Sequence, residues 1–249
     1  MLTGFYTAAS GMLMQQRMLN VLSNNMANVK TPGFRIERVV SSTFEQALLT
    51  RMEKGNQAVI GSGDPIRIVE DVPTGFDPGF LETTDRPFDM AIAGEGFFVI
   101  QAENQQYLTR NGNFDLDEEG YLILRGAGRV QGQEGEIYLG SSNFTVSREG
   151  VIYDGNQRRV DTLLITRPAD YAQLQKYANG MYIDPNAEAT ANNPPGVQVI
   201  QNTLERSNVN LNDEMALAIE AQRAFQISSS VLKSIDQLND KTANRIASL

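Results

Sequence analysis

The chain has 249 residues and a formal net charge of −9, and it contains no histidine, cysteine or tryptophan. This length is enough to bury a core in one or two domains. Without histidine and cysteine the chain lacks thiol nucleophiles, Ser/His/Asp triads, disulfides and the usual zinc ligands, so we expect no enzyme, no metal and no cofactor.

The first 30 residues predict a long amphipathic helix over residues 2–29. Its apolar stripe repeats at alternating steps of three and four, which is coiled-coil spacing. The stripe contains Leu2, Phe5, Ala9, Met12, Gln16, Leu19, Ser23 and Met26. Four further apolar residues lie outside it, so one partner helix would not cover every apolar face. These four are Met14, Met18, Val21 and Leu22.

The helix is expected to end near Lys30, because Pro32 lacks an amide hydrogen and Gly33 permits turn geometry. Asn24, Asn25 and Asn28, near this end, are candidates for hydrogen bonds, although exposed polar residues are equally common at a helix end. Residues 35–80 predict an extended connector. Within it, Phe44, Leu48 and Leu49 are compatible with a short helix, and the Gly, Pro and Asp residues between 55 and 80 indicate short strands.

Residues 81–204 predict an all-β domain, because short β-prone runs alternate with turn residues. The predicted strands are 97–100, 121–124, 135–139, 151–153, 162–165 and 197–200. Asn111-Gly112 and Asp154-Gly155 are strong turn dipeptides.

A second long helix is predicted over residues 211–248. Asn210 can cap it, and Asp213 and Glu214 suit the positive end of the helix dipole. Its stripe contains Leu217, Ala221, Ala224, Ser228, Val231, Ile235, Leu238 and Thr242, flanked by Phe225, Leu232 and Ile246. The fold class is therefore α+β, with two long terminal helices that pair as a coiled coil and a central β domain.

Charge is distributed unevenly. Residues 1–35 carry three basic residues and no acid, residues 205–249 carry a net −1, and residues 36–204 therefore carry −11. The acidic middle disfavours nucleic acid as a partner. The sequence contains no run of 18 apolar residues, so we expect no membrane insertion. The first residues lack the features of a signal peptide, so we expect any export to use another route.

Apparent chemical motifs in the chain are better explained as local structure. The run Asp115-x-Asp117-x-Glu119-Gly120 resembles the start of a calcium loop, but Gly126 stands where a bidentate glutamate is required. Ser230-x-x-Lys233 has the spacing of a serine nucleophile and lysine base, yet it lies within a predicted helix without any accompanying motif.

Four segments resemble, in order, the signatures of bacterial flagellar rod and hook proteins. The first is Ser23-Asn24-Asn25-Met26-Ala27-Asn28-Val29-Lys30-Thr31-Pro32-Gly33-Phe34. The second and third run from Asp85 to Phe98 and from Tyr107 to Phe114. The fourth combines residues 205–211 with Glu214-Met215 and Ala221-Gln222-Arg223-Ala224-Phe225, in which Phe225 stands where the family more often has tyrosine.

This resemblance implies a structural subunit of the basal-body rod, exported by the flagellar type III apparatus without a cleaved signal peptide. Residues 1–34 and 205–249 would then form the helical core of a polymer around the export channel, joined by the connector 35–80 to an outer β domain, 81–204. The length suits one of the two distal-type rod subunits of the family. The connector after Phe34 is slightly more similar to that of the more proximal of these two subunits.

Copies of the chain and other axial proteins are the expected partners, and the ends of the free subunit are expected to complete their folding on assembly. The expected interface residues are Leu2, Phe5, Met12, Leu19, Asn24, Asn25, Asn28, Leu217, Phe225, Val231, Ile235 and Leu238. A hook or hook-filament junction subunit and a monomeric secreted binding module are the alternative functions.

Overall fold

The structure is a computed structural model. It describes residues 2–43, 48–53, 56–62, 67–102, 105–177, 180–185 and 191–247, and side chains within these ranges except at 2–3, 41–71, 191–192 and 243–247.

Two long helices occupy the ends of the described chain, α1 at Leu2–Ala27 and α2 at Leu211–Ala247. They pack antiparallel. Asn25 of α1 bonds to Glu214 of α2, and a Cβ placed on Gly11 lies 3.8 Å from Ser228 Oγ. Asn25 and Gly11 are fourteen residues apart in α1, and their partners Glu214 and Ser228 are fourteen residues apart in α2 in the opposite chain direction. The two helices are therefore antiparallel and in one continuous register. At about 1.5 Å per residue the helices are about 39 and about 56 Å long.

The helix ends follow local chemistry. The Asn210 side chain accepts a hydrogen bond from the amide of Asn212 at 3.1 Å, which confirms the predicted cap of α2. The first helix stops two residues before the predicted end, because residues 28–33 form turns and the Thr31 amide donates to Asn28 O at 3.1 Å.

Strands fill the region between the helices, which confirms the α+β class. All named strand pairs are antiparallel. The strands are β1 Val40–Thr43, β2 Leu48–Glu53, β3 Asn56–Ser62, β4 Arg67–Asp71, β5 Leu81–Thr83, β6 Met90–Ala93, β7 Phe97–Ala102, β8 Gln105–Thr109, β9 Phe114–Leu116, β10 Leu122–Leu124, β11 Gly128–Val130, β12 Phe144–Val146, β13 Val151–Asp154, β14 Arg159–Thr162, β15 Ile165–Arg167, β16 Gln175–Lys176, β17 Met181–Ile183, β18 Ala191–Asn192, β19 Gln198–Gln201 and β20 Thr203–Glu205.

The largest sheet has the order β16-β17-β8-β7-β11-β10-β9; β15 joins it by pairing with β7, and β18 pairs with β15. Strand β7 is buried on both faces, since side chains alternate along a strand. Phe98 and Ile100 enter the main core, whereas Phe97 and Val99 enter a smaller cluster with Leu108 and Tyr182. A three-stranded sheet, β12-β13-β14, supplies Phe144 and Ile152 to the main core.

Some predictions of local structure differ from the structure. The predicted strand 162–165 is divided between β14, which ends at Thr162, and β15, which begins at Ile165. Leu48 and Leu49 begin β2, which pairs with β3, so the short helix predicted there is wrong and cross-strand pairing sets the conformation. Phe44 lies outside the described residues. The predicted strand 135–139 makes only isolated bridges, Gln131 with Glu136 and Tyr121 with Tyr138.

The chain divides into two compact units. One contains residues 1–27, 37–74 and 210–249, and therefore both helices and the hairpin strands β1 to β4. The other contains residues 28–36 and 75–209, and therefore both β cores. These units describe one chain alone. The predicted polymer core, connector and outer domain concern the assembled state and stay predictions.

Gly33 shows why the turn after α1 needs glycine. Its φ is +68°, and an added Cβ would lie 2.3 Å from the Arg110 carbonyl carbon. The Gly33 amide donates to Glu205 O at 2.8 Å, so the backbone cannot shift without losing this bond.

Replacing Gly33 with alanine is expected to cost about 2–4 kcal/mol of unfolding free energy, because backbone strain and a steric clash add. Gly126→Ala is the matched control, since its φ is +73° but nothing lies within 4 Å of the added Cβ. It should cost only the left-handed backbone strain, about 1–2 kcal/mol. Equal losses in urea unfolding would show that crowding at Gly33 is unimportant.

Candidate assembly surface

The face of α1 that the chain itself buries differs from the predicted stripe. Met14, Val21, Leu22 and Asn25 are the buried side chains of this helix. They follow a stripe one position away from that of the predicted residues, and Gly11 on the same face approaches Ser228 of α2. Intramolecular pairing therefore uses the apolar residues that the predicted stripe left out.

The predicted α1 stripe remains partly open as a result. Phe5 is 40% exposed, and Met12 and Leu19 are half-buried. The side chain of Leu2 is not among those described. Phe5, Met12 and Leu19 are therefore not sealed within the single chain, and this part of the predicted stripe stays available to a second molecule.

The predicted α2 residues change character along the helix. Leu217 and Phe225 are half-buried near α1, whereas Val231 and Leu238 are 44% and 58% exposed. Val231, Ile235 and Leu238 line an open groove of about 620 Å³, and all of its described lining residues belong to α2.

Large apolar side chains are exposed along both helices. On α1 they are Phe5, Tyr6 and Leu13, and on α2 they are Leu211, Met215, Ile219, Ile227, Val231 and Leu238. Leu211, Met215 and Ile219, and again Ile227 and Val231, are four residues apart, so each set lies along one side of α2. Exposed apolar surface arranged in this way is typical of interaction sites. Neither helix has an apolar stretch long enough to cross a membrane within the described residues.

A buried polar network holds the end of α1 and the start of α2. Asn25 is fully buried and donates from Nδ2 to Glu37 O and to Glu214 Oε2, both at 2.9 Å, while its Oδ1 accepts from the Glu37 amide. Arg38 pairs with Glu214 at 2.6 Å. A buried polar pair fixes the register of two helices, because any shift leaves its hydrogen-bond donors without acceptors.

The other two predicted asparagines lie nearby in sequence. Asn24 is exposed, and Asn28 accepts at its side-chain oxygen from Thr31 Oγ1 at 3.2 Å. Their role in assembly, like that of every predicted interface residue, stays a prediction.

The antiparallel register predicts that an engineered disulfide will form between α1 and α2. Gly11→Cys with Ser228→Cys should oxidise within one chain, because the two side chains would approach within disulfide reach. Because the sequence has no native cysteine, a disulfide within one chain must join the two introduced residues. Gly4→Cys with Ser228→Cys is the control, since residue 4 lies about 10 Å further along α1. Efficient cross-linking of the control pair, seen on non-reducing gels, would refute this register.

A second buried network lies in the β-rich unit and was not predicted from the sequence. Glu205 pairs with Arg35 at 2.7 Å and with Arg110 at 3.2 Å, and its side chain also accepts from the Gly79 amide at 2.9 Å. Arg35 and Glu205 are each 1% exposed and Arg110 is 6% exposed. Two guanidinium groups thus share one carboxylate in the protein interior.

Burial has the largest influence on the pKa of Arg110. Burial lowers the pKa of Arg110, the Glu205 carboxylate acts to raise it, and the nearby charge of Arg35 lowers it further. The available sequence signal was the position of these charges within apolar or strand-forming segments, after Phe34, after Thr109 and after Leu204. Nothing in the sequence pairs residues this far apart along the chain.

Three family models match the chain in order. Residues 5–35 match a model described as flagella basal body rod protein. Residues 91–210 match the flagellar hook protein FlgE/F/G D1 domain, and residues 200–246 match the flagellar basal body rod FlgEFG protein C-terminal region.

Full-length relatives show the same similarity. The chain is 30% identical to the flagellar basal-body rod protein FlgG of Bacillus subtilis, over 98% of this chain and 99% of the relative. It is 29% identical to FlgF of Caulobacter vibrioides, over 98% of each chain. It is 28% identical to the flagellar hook-basal body complex protein FlhO of Bacillus subtilis, over the whole of both chains. Identity to the differently named rod relatives is nearly equal.

Proposed function

The chain belongs to the family of flagellar basal-body rod and hook proteins and is a structural subunit of the rod, not an enzyme, and from that premise we propose that it polymerises through its terminal helices. In the polymer, residues 1–34 and 205–249 form a tube around the export channel, and residues 81–204 form an outer layer. The polymer is the drive shaft that transmits torque.

The observation that supports this proposal is the exposed apolar surface of the helix pair. Among the side chains that the structure describes, six large apolar residues of α2 and three of α1 are exposed in the single chain. A helix pair that functioned as a closed module would bury such residues between its own helices. An interface between unlike surfaces, repeated without closing, produces a helical filament.

Assembly with other rod and hook axial proteins follows from the family. Self-association and export are parts of the proposal. We propose that the flagellar type III apparatus exports the chain unfolded without cleaving a signal peptide. A cysteine-free sequence supports this route, since no disulfide has to be reduced before export or formed after it. The segment after Phe34 favours the proximal of the two distal-type rod positions.

Labelling of basal bodies tests the proposed location. An epitope inserted in the exposed turn at Arg125-Gly126 should leave the helices unaltered. In a strain whose own subunit is replaced by this chain, gold-labelled antibody should mark the rod of isolated basal bodies after the rings are removed. Label confined to the hook would instead support the hook alternative, and unlabelled flagella would overturn the proposal.

A further inference from the structure

A cleft of about 540 Å³ opens in the β-rich unit beside the buried arginines. Phe76, Phe97 and Tyr171 form an aromatic cluster along it, with ring centroids 5.1–6.1 Å apart. Arg35 and Arg110 also line the cleft, and the Arg110 guanidinium lies 5.5 Å from the centre of the Phe97 ring. The cleft therefore joins an apolar wall to two buried cations.

Charge beside the cleft is unbalanced. Arg35 and Arg110 share the single carboxylate of Glu205, which leaves one positive charge without a matching anion. Carbonyl oxygens of Asp77, Ile92 and Gly94 accept other guanidinium hydrogens but carry no full charge. Among the described residues, both arginine Nε atoms and the Tyr171 hydroxyl are buried without a hydrogen-bond partner. Such groups are costly to bury unless something pairs with them.

Two other carboxylates stand at the edge of the cleft. Asp77 and Glu95 are both exposed, and Glu95 pairs with Arg167 at 3.1 Å. Because water and salt screen exposed charges, these acids weaken the local field without cancelling the buried excess.

We propose that this cleft binds a carboxylate group carried on an apolar stem. The carboxylate offsets the unmatched charge of the two guanidinium groups, and the stem packs on the aromatic wall. Because the Nε atoms are covered from solvent, contact with them requires a small rotation of the side chains. The source that the charge distribution favours is an acidic side chain of a second copy, since residues 36–204 carry a net charge of −11. The assignment of the carboxylate to a second copy rests on the proposed polymer, whereas the carboxylate site itself does not.

Titration of the purified monomer tests the site. Benzoate is the probe, and benzylamine is the cation of similar shape. The nuclear magnetic resonance signals of the Nε–H groups of Arg35 and Arg110 should shift with benzoate and not with benzylamine. Tyr171→Phe should weaken benzoate binding about three- to tenfold through the lost hydroxyl. Tyr138→Phe, at an exposed tyrosine outside the cleft, should leave the affinity unchanged. Unchanged signals at saturating benzoate, or equal shifts with benzylamine, would overturn the site.

Zero-length cross-linking of the assembled protein identifies the source. In a Tyr171→Lys variant, carbodiimide should join residue 171 to an acidic residue of a second copy. Tyr138→Lys is the control and should not form the same cross-link. Benzoate binding to the monomer without this cross-link in sedimented polymer would overturn the neighbouring copy as source and leave a free small carboxylate. If no polymer sediments, the proposed function fails, and the monomer titration still decides the site.

Discussion

Replacing Leu238 with glutamate is expected to abolish rod assembly and swimming while leaving the free subunit folded. Leu238 is 58% exposed and lines the open groove on α2, so the single chain loses little packing. We expect its unfolding free energy to change by at most about 0.5 kcal/mol. In the polymer the same position would be covered, and each interface would lose about 1.5–3 kcal/mol of leucine burial. Each would also bury an unpaired carboxylate.

Gln237→Glu is the matched control, because it adds the same charge at the neighbouring exposed position. It should preserve swimming in soft agar and rods in electron micrographs. Glutamate at Leu19 or Ile235 should act as at Leu238, although both side chains are half-buried and their monomers lose more stability. Normal rods built from Leu238→Glu protein would show that this face of α2 is not in the polymer interface.

Replacing Glu205 with glutamine is expected to destabilise the β-rich unit by about 3–5 kcal/mol, because it leaves two buried guanidinium groups without a counter-charge. Arg35, Arg110 and Glu205 are almost fully buried, so water cannot replace the lost carboxylate. The measurement is urea unfolding followed by tyrosine fluorescence, since the chain has no tryptophan and seven of its eight tyrosines lie in residues 75–209.

Glu82→Gln is the control for this substitution. Glu82 also pairs with an arginine, Arg206, but both side chains are 50% exposed. The melting temperature should not change measurably, because exposed ion pairs contribute little. Equal effects of the two substitutions would show that Glu205 does not act as a buried counter-ion.

The main elements could be predicted from the sequence because their signals are local. Periodicity over more than 25 residues gave both helices, and Asn210 and the Thr31-Pro32-Gly33 turn marked two of their ends. Short β-prone runs separated by turn residues predicted strands such as Phe97–Ala102 and Val151–Asp154.

The face of α1 that is buried could not be predicted in the same way. Two apolar stripes run along this helix, one position apart, and periodicity does not say which stripe contacts α2. The structure assigns Met14, Val21 and Leu22 to the interior of the chain. The asparagine at position 25 fixes that choice, because its hydrogen bonds to Glu37 and Glu214 require the same face.

Long-range charge pairing was also beyond the sequence. Arg110 and Glu205 lie in two of the family-like segments and Arg35 directly follows another, and each charge alone is compatible with solvent exposure. Their meeting depends on how Gly33 packs against the backbone of Arg110 and bonds to Glu205, which only the folded chain shows. The short helix predicted at Leu48 and Leu49 was wrong because helix-forming residues there pair across a hairpin instead.

Hydrogen–deuterium exchange on the free and assembled protein tests the central claim most directly. The polymer account predicts faster exchange in α1 and α2 than at residues 81–200 in the free subunit, and strong protection of both helices after assembly. Helices that are already fully protected in a confirmed monomer, and unchanged in the assembled state, would contradict it. That result would mean that α1 and α2 satisfy each other as a closed pair.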